Sequence, residues 1–407
     1  MNRKHVASWA LYDFAGSIYS SVITTAVFAV YFANVVVGAE GGRGDQIWGW
    51  VVSLSVAIVA ISSPLIGSIA DRAGARKKLL VIYTLVGIAA VSGFITVGPG
   101  TVALGFALAV IANVGFEGGQ VFYNAYLPDI APRSHQGRIS GLGFGLGYAG
   151  SAAGLIAAIP LAQAGRFDLL WLMVAGWWLL FSLPAFVNLP EPAGMGESVG
   201  RAAVNGLTNF RRIVREVMAE RELKRFLISY FFYIDGVNTV IAMAALFATT
   251  TLAFAQSEVI VLFLVVQFSA LAGSFALAKA TDTLGPKRII QWTLVLWSAV
   301  AVSAYFVPSK TGFFVIAVVA GTGLGSIQAA SRSFMASLIP EGKEAEMFGF
   351  YSFCGKTSSI MGPLVFGGVS RATGGNQRIA VLAIAIFFIV GGLLLRRVHD
   401  PLADVPA

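Results

Sequence analysis

Five ionisable residues stand inside long apolar stretches of this chain: Asp13, Glu117, Asp235, Arg332 and Lys356. If those stretches cross a bilayer, each charge is costly, on the order of 2.5–3.5 kcal/mol even on the lenient insertion scale. Such groups are expected to turn inward, pair, or be wetted. Three acids and two bases in one cavity suit a ligand that carries both signs. Its carboxylate would sit on Lys356 or Arg332 and its ammonium on Asp13, Asp235 or Glu117. Gln120, Asn124, Tyr148, Asn238, Gln328 and Tyr351 are polar neighbours that would refine the fit. Burial disfavours the ionised form of a carboxyl group, which makes Asp13, Glu117 and Asp235 candidates for proton coupling. Plainer uses stay open. Asp13 can pair or cap a helix, Asp235 can mark a kink beside Gly236, Glu117 and Arg332 can latch two halves together, and Lys356 can neutralise a buried acid.

The elements that must position these residues are read from composition. Of 407 residues, 57% are hydrophobic and 12% charged. Soluble chains carry about 25% charged residues. Mean hydropathy is +0.78. The chain therefore reads as an all-α integral membrane protein. Twelve spans are expected, at 8–34, 46–70, 79–98, 101–126, 139–163, 168–189, 225–251, 257–280, 289–307, 312–336, 347–371 and 376–396, each near the ~20 apolar residues a crossing needs. The first apolar run reads as a spanning helix rather than a cleavable leader. By that count Asp13 lies about one and a half turns into its span. Lys and Arg concentrate on the loops that share a side with the termini; Arg43, Arg166, Lys310, Arg371 and Arg378 are on the other. That asymmetry puts both termini in the cytoplasm. The net charge of +8 belongs to these loops and to anionic lipid rather than nucleic acid.

A short charged hinge, Gly67-Ser-Ile-Ala-Asp71-Arg72-Ala-Gly74-Ala-Arg76-Lys77-Lys78, separates spans two and three. Its Asp-x-x-Gly-x-basic spacing returns at Asp282, Gly285, Lys287 and Arg288. The halves align elsewhere too. Tyr12-Asp13 matches Ile234-Asp235, Leu127-Pro128-Asp129 matches Ile339-Pro340-Glu341, and Gly141 and Gly154 match Gly349 and Gly362. Two parallel repeats follow: a bundle over 1–189, a linker over 190–224, and a bundle over 225–407. In such an architecture the ligand sits near the midplane. Within the linker, Asn205 to Arg225 alternates bases with Leu207, Phe210, Ile213, Val214, Val217 and Met218, the pattern of an interfacial helix.

The hinge resembles the signature loop of the major facilitator superfamily, carried here by Gly67, Asp71, Arg72, Gly74, Arg76 and Lys77. Four further stretches resemble the bacterial branch of the vacuole-effluxer-like family, whose fungal member is the autophagy-related vacuolar amino-acid exporter. They are Trp9 to Ser17, Phe122 to Pro128, Tyr233 to Val240, and Ser331-Arg332-Ser333 through Ile339-Pro340 to Glu344–Lys356. Where that family reads Y-D-F-A-N-S, this chain has Gly16, one polar group fewer for the cavity. The resemblance implies a twelve-helix, monomeric, alternating-access transporter without cofactor, in which Gly67, Asp71, Arg72, Gly74, Arg76, Asp282, Gly285, Lys287 and Arg288 serve gating. Through the fungal branch it implies an amino-acid-like substrate.

No phosphate-binding G-x-x-x-x-G-K-S/T loop is present, and His5, His135 and His399 lie in loops or tails, away from any metal-ligand spacing. Cys354 is the only cysteine, so no disulfide forms within the chain. The expected activity is secondary transport of a small polar metabolite, an amino acid or similar zwitterion, in a bacterial inner membrane, with proton coupling open. Export of amphipathic or lipid-like compounds is the alternative. A receptor or enzyme on a transporter scaffold is the alternative of another class.

Overall fold

The computed structural model describes residues 2–38, 43–191, 210–359 and 361–400, with a few isolated positions between 191 and 210. The described residues are helical throughout, without a strand. Eleven helical stretches among them are long and apolar enough to cross a membrane. The helices are α1 (Arg3–Ile18), α2 (Arg43–Ala73), α3 (Arg76–Gly93), α4 (Val102–Ala125), α5 (Gln136–Gln163), α6 (Phe167–Asn188), α7 (Arg221–Leu252), α8 (Gln256–Ala276), α9 (Pro286–Phe306), α10 (Lys310–Leu338), α11 (Glu344–Ser358), α12 (Met361–Ala372) and α13 (Gln377–Arg396).

Three differences from the expected spans have local causes. First, α1 begins at Arg3, capped by the Asn2 side chain, which accepts the Lys4 N–H. Asp13 is thus ten residues, about 15 Å, into its helix rather than one and a half turns. Second, α1 continues as widened π-helical turns at Tyr19–Ala26 and Phe32–Gly38. Hydroxyls of Ser20, Ser21, Thr24 and Thr25 donate back to the carbonyls of Ser17 and Ser20, which competes with regular helix bonding. Third, the expected span 347–371 is two helices, α11 and α12. Pro363 has no N–H and its ring crowds the carbonyl four residues back, Ser359, so an unbroken helix is disfavoured there. In the linker, a short helix covers Phe210–Ala219 and α7 already starts at Arg221. The expected interfacial positions Asn205 and Leu207 lie outside the described residues.

Two compact units partition the chain. Unit 1 holds residues 1–130, 146–210 and 341–350; unit 2 holds 131–145, 211–340 and 351–407. Inside unit 1, Phe28 stacks on Phe94 at 3.8 Å between ring centres and meets Trp171 edge-on at 5.2 Å. Lipid tails are as apolar as these rings, so close packing rather than water exclusion holds such helices together. Small residues permit it: a Cβ on Gly115 would lie 2.7 Å from the Gly87 Cα, so α3 and α4 meet backbone to backbone. In unit 2, α8 and α10 do the same through Gly273, Gly321 and Ser326, whose hydroxyl donates to the Gly273 carbonyl at 3.0 Å. Each hinge turns on a glycine with positive φ, +62° at Gly74 and +86° at Gly285, where a side chain would strain the backbone.

Candidate functional site

Unit 1 carries Asp13, Glu117, Gln120, Asn124 and Tyr148. Asp13 is 7% exposed and its Oδ2 accepts the Tyr123 hydroxyl at 3.1 Å. Trp9 stacks on Tyr123 with ring centres 4.5 Å apart and donates its indole N–H to the Tyr123 carbonyl. Helix α5 passes close by, since a Cβ on Gly147 would come within 3.3 Å of the Asp13 carboxyl. Glu117, Gln120 and Asn124 recur at three- and four-residue spacing, so they share one face of α4, and all three are half-buried. Buried Asn113 extends that stripe one turn back, a position sequence reasoning passed over because a lone asparagine carries no charge. Tyr148 is half-buried on α5. Gly16 corrects an expectation. A Cβ there would meet the rings of Phe116 (3.2 Å) and Trp178 (3.7 Å), so the position faces packed aromatics, and its glycine takes no polar group from a cavity.

Unit 2 carries Asp235, Asn238, Gln328, Arg332, Tyr351 and Lys356. Asp235 has no exposed surface. Its Oδ1 accepts the Gly362 N–H at 3.0 Å and the Thr239 hydroxyl at 3.4 Å, taking up one of the N–H groups that the start of α12 leaves open. Its Oδ2 is buried with no hydrogen-bond partner among the described residues. Next to it, the Asn238 amide donates to the Ser359 hydroxyl at 3.0 Å. The break after α11 is thus held by two side chains of α7. Lys356 lies half-buried one turn before that break. Tyr351 stacks on Tyr230 at 4.2 Å, and Gln328 is half-buried on α10. Arg332, 2% exposed, is heavily committed. Its Nε donates to the Ser140 hydroxyl at 2.9 Å, its Nη2 to the Ser140 carbonyl at 2.7 Å, and its guanidinium lies 4.0 Å from the centre of the Phe144 ring.

The hinge residues form two helix-capping clusters. Arg76 is 1% exposed. It donates to Asp71 at 2.9 Å, to Glu344 at 2.7 Å, to the Ala125 carbonyl at 3.1 Å, and to Asp129. Asp71 also accepts the N–H groups of Ala345 (3.2 Å) and Glu346 (2.9 Å), so it caps the N-terminus of α11. A Cβ at Gly67 would strike the Ala345 backbone, which fixes glycine there. Arg72 pairs with Glu197 at 3.2 Å. In unit 2, Asp282 accepts the N–H groups of Gly137 (2.7 Å) and Arg138 (3.2 Å), capping α5 as Asp71 caps α11. Anions are stabilised at helix N-termini by the open N–H groups and the helix dipole. Each hinge also has a lysine that anchors a helix end, though one motif position apart: Lys77 donates to the carbonyls of Val187 and Leu189 at the end of α6, and Lys287 to those of Arg396 and Val398 at the end of α13. Arg288 is exposed. The acidic partners Glu344 and Asp129 escaped sequence reasoning because they lie far from Arg76 in the chain.

Residues 47–401 match the family described as vacuole effluxer Atg22 like. The MFS-type transporter YxiO of Bacillus subtilis is 31% identical over 98% of this chain and 95% of its own length. Autophagy-related protein 22 of Yarrowia lipolytica is 26% identical, covering 85% of this chain and 74% of that one. Among solved structures, the human organic anion transporter MFSD10 matches with a TM-score of 0.76 at 14% identity, over 97% of this chain and all of that one. The major facilitator transporter FucP, in its outward conformation, matches with a TM-score of 0.74 at 14% identity, over 98% and 100%. These two show the fold. Together with the hinge and its second copy, the matches make the chain an integral membrane protein, a secondary transporter rather than an enzyme, and a member of the vacuole effluxer Atg22-like family of the major facilitator superfamily.

Proposed function

We propose that the protein moves a small zwitterion, an amino acid or close relative, by alternating access. The observation that carries this reading is the Asp235 carboxylate, sealed from solvent with one oxygen lacking a donor among the described residues. Such an oxygen calls for an ammonium or a proton. Lys356, half-buried in the same unit, offers the cation for a carboxylate. Arg332, which Ser140 and Phe144 engage, is the second candidate base. Asp13 and Glu117 join Asp235 as proton-coupling candidates, with Gln120, Asn124, Tyr148, Asn238, Gln328 and Tyr351 as polar lining. The Asp71 and Asp282 caps, with Gly67, Arg72, Gly74, Arg76, Gly285, Lys287 and Arg288, are assigned to gating, because a charged cap stabilises whichever state brings the helix terminus to it. The reading includes six-helix bundles at 1–189 and 225–407, cytoplasmic termini, a monomer, and a bacterial cytoplasmic membrane.

One observation favours export of amphipathic compounds instead. An apolar cavity of about 80 Å³ in unit 2 is lined by Thr239, one turn from Asp235, with Met243, Phe247, Trp297 and Phe366. The two readings separate in a melting assay of the purified protein against amino acids, sugars, nucleosides, organic anions and lysolipids. At a hundredfold excess over Kd, a ligand adds about 2.7 kcal/mol to the folded state. A shift by one zwitterion class that Lys356→Met removes supports the first reading. A shift by lysolipids alone overturns it.

A further inference from the structure

The second hinge also borders a pocket to which the transport reading gives no ligand. A polar pocket of about 700 Å³ opens where α9 begins and α13 ends, lined by Lys287, Arg288, Gln291, Arg396 and Arg397. A shallow, mostly apolar groove of about 360 Å³ runs on from it between the same two helices, past Trp292, Val295, Ile389 and Leu393. Gln291 and Arg396 line both, so the polar pocket and the groove are continuous.

The charges at the pocket are unevenly committed. Lys287 is held by the carbonyls of Arg396 and Val398. Asp282 is engaged by the N–H groups of Gly137 and Arg138 and by the Arg138 guanidinium at 3.2 Å. His399 and Asp400 also line the pocket; the His399 backbone N–H goes to Glu222, and the Asp400 carboxyl lies against Gly285. Three exposed guanidinium groups are left, on Arg288, Arg396 and Arg397, and none forms an ion pair among the described residues. Against the two carboxylates of Asp282 and Asp400, the four bases Lys287, Arg288, Arg396 and Arg397 leave the pocket positive. Its position at the end of two spans is headgroup depth, and the groove runs toward the hydrocarbon. Trp292 (53% exposed), Val295 (71%), Ile389 (53%) and Leu393 (53%) present apolar surface along it. Gly392 keeps the groove open, since a Cβ there would touch only Leu294, at 3.7 Å.

We propose that this pocket and groove bind an anionic phospholipid, with its phosphate over Arg288, Arg396 and Arg397 and one acyl chain between α9 and α13. Basic pockets between spanning helices suit anionic headgroups, because each added base strengthens the attraction while the chain is held by contact alone.

Brominated phospholipids report the contact by quenching tryptophan. The full chain is placed in nanodiscs containing brominated phosphatidylglycerol or brominated phosphatidylcholine, and the Trp292 signal is taken as wild type minus Trp292→Phe. Phosphatidylglycerol is expected to quench Trp292 at lower mole fraction than phosphatidylcholine. Replacing Arg288, Arg396 and Arg397 with glutamine should weaken that preference roughly tenfold or more. Gly392→Leu should reduce quenching by both lipids. If the triple variant does not fold, the wild type still decides, because raising salt to about 0.5 M must shrink an electrostatic preference. Equal quenching by the two lipids, a preference that survives both the triple variant and salt, or full displacement of phosphatidylglycerol by inorganic phosphate alone would each overturn the proposal.

Discussion

Arg76→Ala is the substitution whose effect the structure defines most sharply. The guanidinium is 2% exposed at the side chain; Asp71 is 3% exposed and Glu344 10%. Deleting it removes the guanidinium that those two carboxylates and Asp129 share. An uncompensated buried charge of this kind destabilises by about 3–5 kcal/mol. Asp71→Asn is milder. Arg76 keeps Glu344 and Asp129, and an amide oxygen still accepts one of the two α11 N–H groups, so the loss is that of one charged hydrogen bond and part of a cap, about 1–2 kcal/mol. The double variant Arg76→Ala/Glu344→Gln removes one of the stranded acids and should recover on the order of 1 kcal/mol relative to Arg76→Ala, since contacting residues are not additive. Unfolding by dodecyl sulfate in mixed micelles, followed by circular dichroism, measures all three. Equal losses for Arg76→Ala and Asp71→Asn, or a double variant less stable than Arg76→Ala, would refute the reasoning.

Further consequences are open to direct measurement. Arg332→Lys should lose most of the Ser140 contact, because an ammonium cannot reproduce the paired guanidinium bonds; a loss of about 1.5–3 kcal/mol in the same assay is expected, against less for Ser140→Ala. Gly115→Val should block the α3–α4 approach and lower folded yield more than Gly176→Val, because a Cβ at Gly176 meets nothing. Glu258 pairs with Lys310 at 2.6 Å, and this ion pair, with the Ala255 N–H, holds its carboxyl below the usual range. A depressed folded-state value means stability present above the unfolded glutamate range, about pH 4.3, and lost as pH falls through the folded value. The difference between wild type and Glu258→Gln should therefore be visible at neutral pH and vanish in acid; a difference that grows on acidification would contradict this.

Much of the molecule was legible in its sequence because bilayer physics leaves few options. Length and apolarity located eleven of the twelve expected spans, and the spacing Asp71-x-x-Gly74-x-Arg76 located the hinge and its copy. The partners of those residues were not legible. Glu344 and Ser140 meet Arg76 and Arg332 only through tertiary packing, and local pattern carries no trace of that. The break between α11 and α12 did leave a trace in Pro363 beside Ser358 and Ser359. Yet Pro64, Pro160 and Pro184 sit within continuous helices, so proline alone does not decide. At Gly362 the decisive addition is Asp235, which supplies the acceptor that the broken helix lacks. The helix of Asp13 starts at Arg3 rather than residue 8 for a related reason: apolarity marks where a span becomes greasy, whereas the Asn2 cap marks where the helix begins.

The central claim is that buried charge on α7 and α11 recognises a zwitterion. Counterflow of a radiolabelled amino-acid panel in proteoliposomes tests it most directly, with wild type beside Asp235→Asn and Lys356→Met. The account predicts uptake of one zwitterion class by the wild type and its loss in both variants, while binding to conformation-insensitive antibodies stays unchanged. Full amino-acid counterflow in Lys356→Met, or counterflow confined to uncharged amphipathic compounds in the wild type, would contradict it.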